Sequence, residues 1–168
     1  GAFVRSFRLA VPRTQHTVKL ATAAQERGDH AAAAELLRPL ADQGNAEAQF
    51  SLGVMYCDGK GLAQSYPEGM RWFRLASSLG HAEAQYRLAR MYAKGQGVAR
   101  DDNEAVRWYR LAADAGHPQA SYALGACLYH GQGARKDIAG AVKWYQAAAD
   151  RGVRAAAEGN LSLRRGQV

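Results

Sequence analysis

A block of 36 residues recurs three times in this chain of 168 without a gap. The copies are AEAQFSLGVMYCDGKGLAQSYPEGMRWFRLASSLGH (46–81), AEAQYRLARMYAKGQGVARDDNEAVRWYRLAADAGH (82–117) and PQASYALGACLYHGQGARKDIAGAVKWYQAAADRGV (118–153). Ala48, Ala84 and Ala120 fall in register, as do Leu52, Leu88 and Leu124, then Gly59, Gly95 and Gly131, then Trp72, Trp108 and Trp144. Self-similarity at this period restricts the fold severely, because a unit so short cannot bury a core alone and must stack on its neighbours.

Within each copy the apolar spacing is three and four rather than two, so each unit reads as two helices, A and B, around a loop. In the middle copy, Ala84, Leu88, Met91 and Tyr92 form one stripe, and Ala105, Trp108, Tyr109 and Ala112 the facing one. Burial of the Trp108 ring predicts a cost of roughly 3–5 kcal/mol on truncation to Ala. Residues 15–45 fit the same scheme with a tight turn at Gly28-Asp29, placing helices at about 15–27 and 30–43, the second kinked or ended by Pro39. Residues 154–168 restart helix A as a capping helix and tail, with Ala157 and Leu161 in the Ala and Leu places. Residues 1–14, with Phe3, Phe7 and three arginines, form a leader outside the repeats, either flexible or docked along a groove. The expected fold is all-α, an α-solenoid of antiparallel helix hairpins.

The net charge of +7 raises the question of nucleic acid. The excess lies at the two ends, since residues 21–150 carry 14 basic and 14 acidic side chains. A neutral body argues against nucleic acid as the partner. No run of apolar residues is long enough to span a membrane. Cys57 and Cys127 stand seventy residues apart with no Cys/His cluster at metal spacing, so no disulfide framework, metal or cofactor is expected. The GQG of residues 95–97 lacks both the GxGxxG fingerprint and the Lys-Ser/Thr of a phosphate loop. Its glycines read instead as positive-φ positions at a helix end. Asp101 and Asp102 read as helix-starting residues, and His81 and His117 as turn residues. Nothing orders a nucleophile, a base and an acid, so the chain is not expected to be an enzyme.

The sequence AEAQYRLARMY, followed by KGQGV and AVRWYRLAADAGH, resembles the Sel1-like repeat, a tetratricopeptide-related hairpin common in bacteria. The resemblance covers residues 46–153 strongly and about 15–164 more loosely, and the short-looped first hairpin looks closer to a plain tetratricopeptide unit. It implies a right-handed superhelix without chemistry of its own, acting as a scaffold for protein or peptide partners. The paired cysteines of the secreted, cysteine-rich branch are absent. By similarity to tetratricopeptide hairpins, helix A lines the concave surface, and Tyr86, Arg90, Lys94, Tyr122 and Tyr129 are the expected partner-binding residues. Tyr and Arg suit that role because they combine large contact area with directional hydrogen bonds. Arg90 and Tyr129 also depart from the repeat's own pattern, whereas Phe50, Tyr86 and Tyr122 share one position and so fit a packing role equally. Two alternatives stand beside this reading: an envelope-associated module whose basic ends contact anionic polymer, and a hydrolase.

Overall fold

The computed structural model describes the backbone of residues 2–165 and the side chains of residues 13–165. Among these residues the chain forms nine helices and no strand. They are α1 (Ala2–Glu26), α2 (His30–Asp42), α3 (Ala46–Asp58), α4 (Tyr66–Ser78), α5 (Ala82–Lys94), α6 (Asp102–Asp114), α7 (Pro118–His130), α8 (Ile138–Asp150) and α9 (Arg154–Arg165). The chain divides after His81 into two compact units.

In the first unit α1 packs on α2, α2 on α3, and α3 on α4. Its core joins Ala21 and Ala24 of α1, Leu37 and Leu40 of α2, Leu52 and Met55 of α3, and Trp72 of α4. In the second unit α5 to α9 pack in sequence order. Tyr109 and Tyr145 fill the middle there, between small residues such as Ala89, Ala112, Ala120 and Ala148. Small residues at one place in helix A make room for a ring from helix B. A Cβ on Gly53 would sit 2.6 Å from the Phe73 ring, and one on Gly125 would sit 2.9 Å from Tyr145.

The junctions follow from caps. Helix B closes on a positive-φ glycine, Gly44 in one unit and Gly116 in the other. The next residue then does two jobs. Asn45 and His117 each donate a backbone N–H to the helix just ended, at Leu40 and Ala112. Their side chains accept from the first turn of the helix about to start, at Ala48 and Ala120.

Four expectations change. Helix α1 begins at Ala2 rather than near residue 15, and Pro12 does not interrupt it. The side chains of Phe3 and Phe7 lie outside the described residues, as does any docking by them. Of the two outcomes expected at Pro39, a kink or an end, the end is excluded: α2 runs on to Asp42, with Leu37, Leu40 and Ala41 buried on either side of the proline. The tryptophans are not equivalent, for Trp72 is 2% exposed while Trp108 and Trp144 are only half-buried. In α9 the register is one residue earlier than the sequence suggested: Ala156, fully buried, takes the Ala place, and Asn160 stands where Leu124 stands one repeat before.

Candidate binding surface on the second unit

The glycine-rich loops can be set aside first. Gly59, Gly95 and Gly131 end helix A at positive φ, and two of them donate to Met55 and Cys127 one turn back. The loops close on the same helix again, since Ser65, Asp101 and Asp137 donate to the carbonyls of Tyr56, Tyr92 and Leu128. The amides at the two ends of each loop are therefore committed to the chain. The later glycine of the motif serves packing: a Cβ on Gly61 would fall on the His30 carbonyl, and one on Gly133 on the Asp102 carbonyl. Asp101 caps α6 through Glu104 N–H at 3.0 Å, as expected of it. Asp102 receives both Arg100 nitrogens at 3.0 Å, while Arg107 pairs with Glu104.

His117 is equally committed. Its Nδ1 accepts from Ala120 N–H at 3.1 Å, so the proton of the neutral ring sits on Nε2, which donates to Glu83 at the start of α5. The Tyr86 ring stacks on the imidazole with centroids 4.6 Å apart. Glu83 also accepts from Arg87 Nε at 2.9 Å. The His117 hydrogen bond holds the Glu83 carboxyl below its ordinary range, against the opposing effect of burial and with help from Arg87. The first unit repeats the arrangement, with His81 on Glu47 at 3.1 Å and stacked on Phe50 at 4.7 Å.

The five expected binding residues lie on α5 and α7. Tyr86 and Arg90 come together, the guanidinium 5.7 Å from the ring centre. Arg90 is half-buried and has no carboxylate partner among the described residues. Tyr122 lies tilted on Tyr145 at 5.5 Å, matching Tyr86 on Tyr109 at 6.0 Å, so both carry packing as well as half-exposed surface. Tyr129 faces Lys136, whose Nζ stands 5.8 Å from its ring centre. Lys94 stands apart, exposed at the end of α5.

Beneath these residues lie groups that the repeat pattern assigned only to the core. Burial pushes the Tyr109 phenol well up, with Tyr86 and Cys127 adding to the effect and Arg90 opposing it. The Tyr145 phenol and the Cys127 thiol are raised by burial in the same way. All three are neutral at physiological pH, which makes Cys127 a poor nucleophile. The surface is thus a bed of tyrosine rings and one thiol, crossed by the cations Arg90 and Lys136. Lys136 was missed in the sequence because it lies in a loop outside the helical stripes. Among the described residues no three His, Cys, Asp or Glu side chains gather to hold a metal, and no helix is long and apolar enough to cross a membrane.

Helix hairpins stacked through repeated small-residue contacts, with glycine-bounded loops, define an all-α solenoid. The Sel1 repeat model matches residues 23–45, 46–81, 82–117 and 118–153, and the chain belongs to that family. A crystal structure of a Sel1 repeat protein from Oxalobacter formigenes is 40% identical, covers 75% of this chain and 95% of its own, and superposes with a TM-score of 0.72. The protein c5321, a protective antigen of uropathogenic Escherichia coli strains with an SLR fold, is 30% identical over 88% of this chain, at TM-score 0.79. This chain spans about a third of that antigen, 32% of its length. Cysteine rich protein B of Helicobacter pylori shares the fold at 24% identity and TM-score 0.58, over 73% of this chain and 92% of its own. No curated protein matches the chain. Sel1 repeat proteins are generally protein-interaction scaffolds and typically non-catalytic.

Proposed function

We propose that this chain is a non-catalytic scaffold that binds a partner polypeptide on the helix A surface of its second unit, through Tyr86, Arg90, Lys94, Tyr122 and Tyr129. The observation that carries the reading is Arg90, a half-buried residue whose guanidinium stands over a tyrosine ring with no carboxylate partner among the described residues. A partner's carboxylate or backbone carbonyl can take a charge-assisted hydrogen bond from it. The surrounding rings supply contact area at little loss of side-chain freedom. The committed loops and the neutral Cys127 offer no competing chemistry.

The test is affinity capture followed by mass spectrometry, then titration calorimetry with the recovered partner. Tyr86→Ala and Arg90→Ala should each weaken binding about tenfold or more, the loss typical of a central aromatic or arginine anchor. Undiminished binding by both variants would refute the assignment. Salt provides a second check. Binding through the basic chain ends to an anionic polymer would weaken steeply with ionic strength, whereas ring-anchored binding would not.

A further inference from the structure

Charge is sorted along the helix A surface of the second unit. Arg90 and Lys94 lie one turn apart at the loop end of α5. Lys136 holds the same end of α7, because the loop after that helix folds back on its cap. A Cβ on Gly131 would sit 3.3 Å from Lys136 Cβ, and the Asp137 N–H reaches the Leu128 carbonyl at 2.9 Å. Tyr86, Tyr122, Tyr129 and Cys127 pack on one core, and Tyr109 lies within electrostatic reach of Tyr86, Arg90 and Cys127, so the two helices share one surface.

None of these three cations has a carboxylate partner among the described residues, for the ion pairs of the unit take other bases. The acids at the loop end are already engaged. Asp102 holds two Arg100 nitrogens and the Gln132 amide, while Asp101 and Asp137 cap α6 and α8. The end where helix A starts is balanced instead. Glu83 there carries Arg87 and His117, and exposed Glu158 and Arg154 follow on α9. Positive charge without compensation thus marks one end of a bed of rings.

We propose that the occupant of this surface is an acidic segment of a partner protein in which carboxylates stand beside apolar or aromatic side chains. The carboxylates meet Arg90, Lys94 and Lys136 at the loop end, and the apolar side chains cover the Tyr86 and Tyr122 rings. Like charge turns a basic segment away from that end. A segment of acids alone is a poor fit as well, since exposed ion pairs contribute little each and the rings carry the contact area. The proposal rests on the reading of the α5 and α7 surface as the binding site, and adds to it the chemistry of the partner and a role for Lys136.

The probe is a display library of random peptides about 12 residues long, reaching about 40 Å when extended, selected on the full chain. Selected peptides should be enriched in Asp and Glu beside aromatic or aliphatic residues. Their binding, read by fluorescence anisotropy, should fall about tenfold in Lys136→Glu, an exchange of charge on an exposed loop residue that leaves the core untouched. A Glu-only peptide of the same length should bind about tenfold more weakly than they do. Peptides that need Tyr86 yet are neutral or basic, or that bind Lys136→Glu unchanged, overturn the acidic occupant and leave the binding surface standing. Peptides that bind Tyr86→Ala and Arg90→Ala unchanged overturn both, as does a selection that yields no binder. Equal binding of the Glu-only peptide makes the face a general polyanion site and overturns the proposal.

Discussion

Replacing Gly133 by Ala should damage the protein far more than the same change at Gly152, although both glycines have positive φ, +69° and +89°. At Gly152 nothing lies within 4 Å of the added methyl, so only the backbone strain counts, about 1–2 kcal/mol. At Gly133 the methyl falls on the Asp102 carbonyl oxygen, far inside the 3.0 Å that real Cβ contacts keep, and 3.0 Å from the Val106 side chain. The carbonyl is main chain in the first turn of α6, so loop or helix must move. Overpacking of that kind costs about 1–3 kcal/mol beyond the strain, for a total of about 2–5 kcal/mol. In a chain of this size each kcal/mol moves the melting temperature by about 2–4 °C. Melting followed by circular dichroism should show Gly133→Ala lower than Gly152→Ala by several degrees. Equal melting temperatures, or a larger fall at Gly152, would refute the claim that the loop glycine is required by a close backbone approach rather than by its φ alone.

Three further outcomes follow from the same contacts. Trp72→Ala should cost about 3–5 kcal/mol in urea unfolding, and Trp108→Ala well under that, because only Trp72 is fully enclosed. His117→Asn, which keeps a side-chain acceptor for Ala120, should retain more stability than His117→Ala, whose lost cap alone costs about 1 kcal/mol; thermal melts of the two rank them. The Glu83 carboxyl is held below its unfolded value, so its contribution is present above the unfolded pKa of about 4.5 and is lost as pH falls through the lower folded value. Melts between pH 3 and 6 should therefore show Glu83→Gln approaching the parent protein as pH falls, with the gap open at pH 6.

The hairpins were legible because periodicity reports which face of a helix is buried, and the 36-residue repeat made that report three times over. The αL glycines were legible for a related reason, since Gly59, Gly95 and Gly131 follow a helical run where only glycine is unstrained. What escaped was whatever depends on a residue's neighbours rather than its own place in the pattern. Trp72 and Trp108 share a repeat position yet differ in burial, because the side chains packed around each ring differ. The register of α9 escaped because Asn160, a polar residue in the leucine place, made the adjacent Leu161 look like the anchor. Of the expected binding residues, Tyr86 and Arg90 are found in contact, but Lys136, drawn from a loop, had no period to reveal it.

The double duty of His117 sets the order in which the second unit opens. Its backbone closes α6 and its imidazole holds the first turn of α7 while tied to Glu83. One repeat later Val153 repeats the backbone half, donating to Ala148, but has no side-chain acceptor to offer α9. Gln119 replaces the partner glutamate there. The Ala156 N–H donates to the Val153 carbonyl at 3.1 Å instead, so α9 starts without the side-chain tie to an earlier helix that α7 has. Deuterium should enter the first turn of α9 before that of α7, because His117 latches α7 to α5 and nothing equivalent ties α9 to α7 among the described residues.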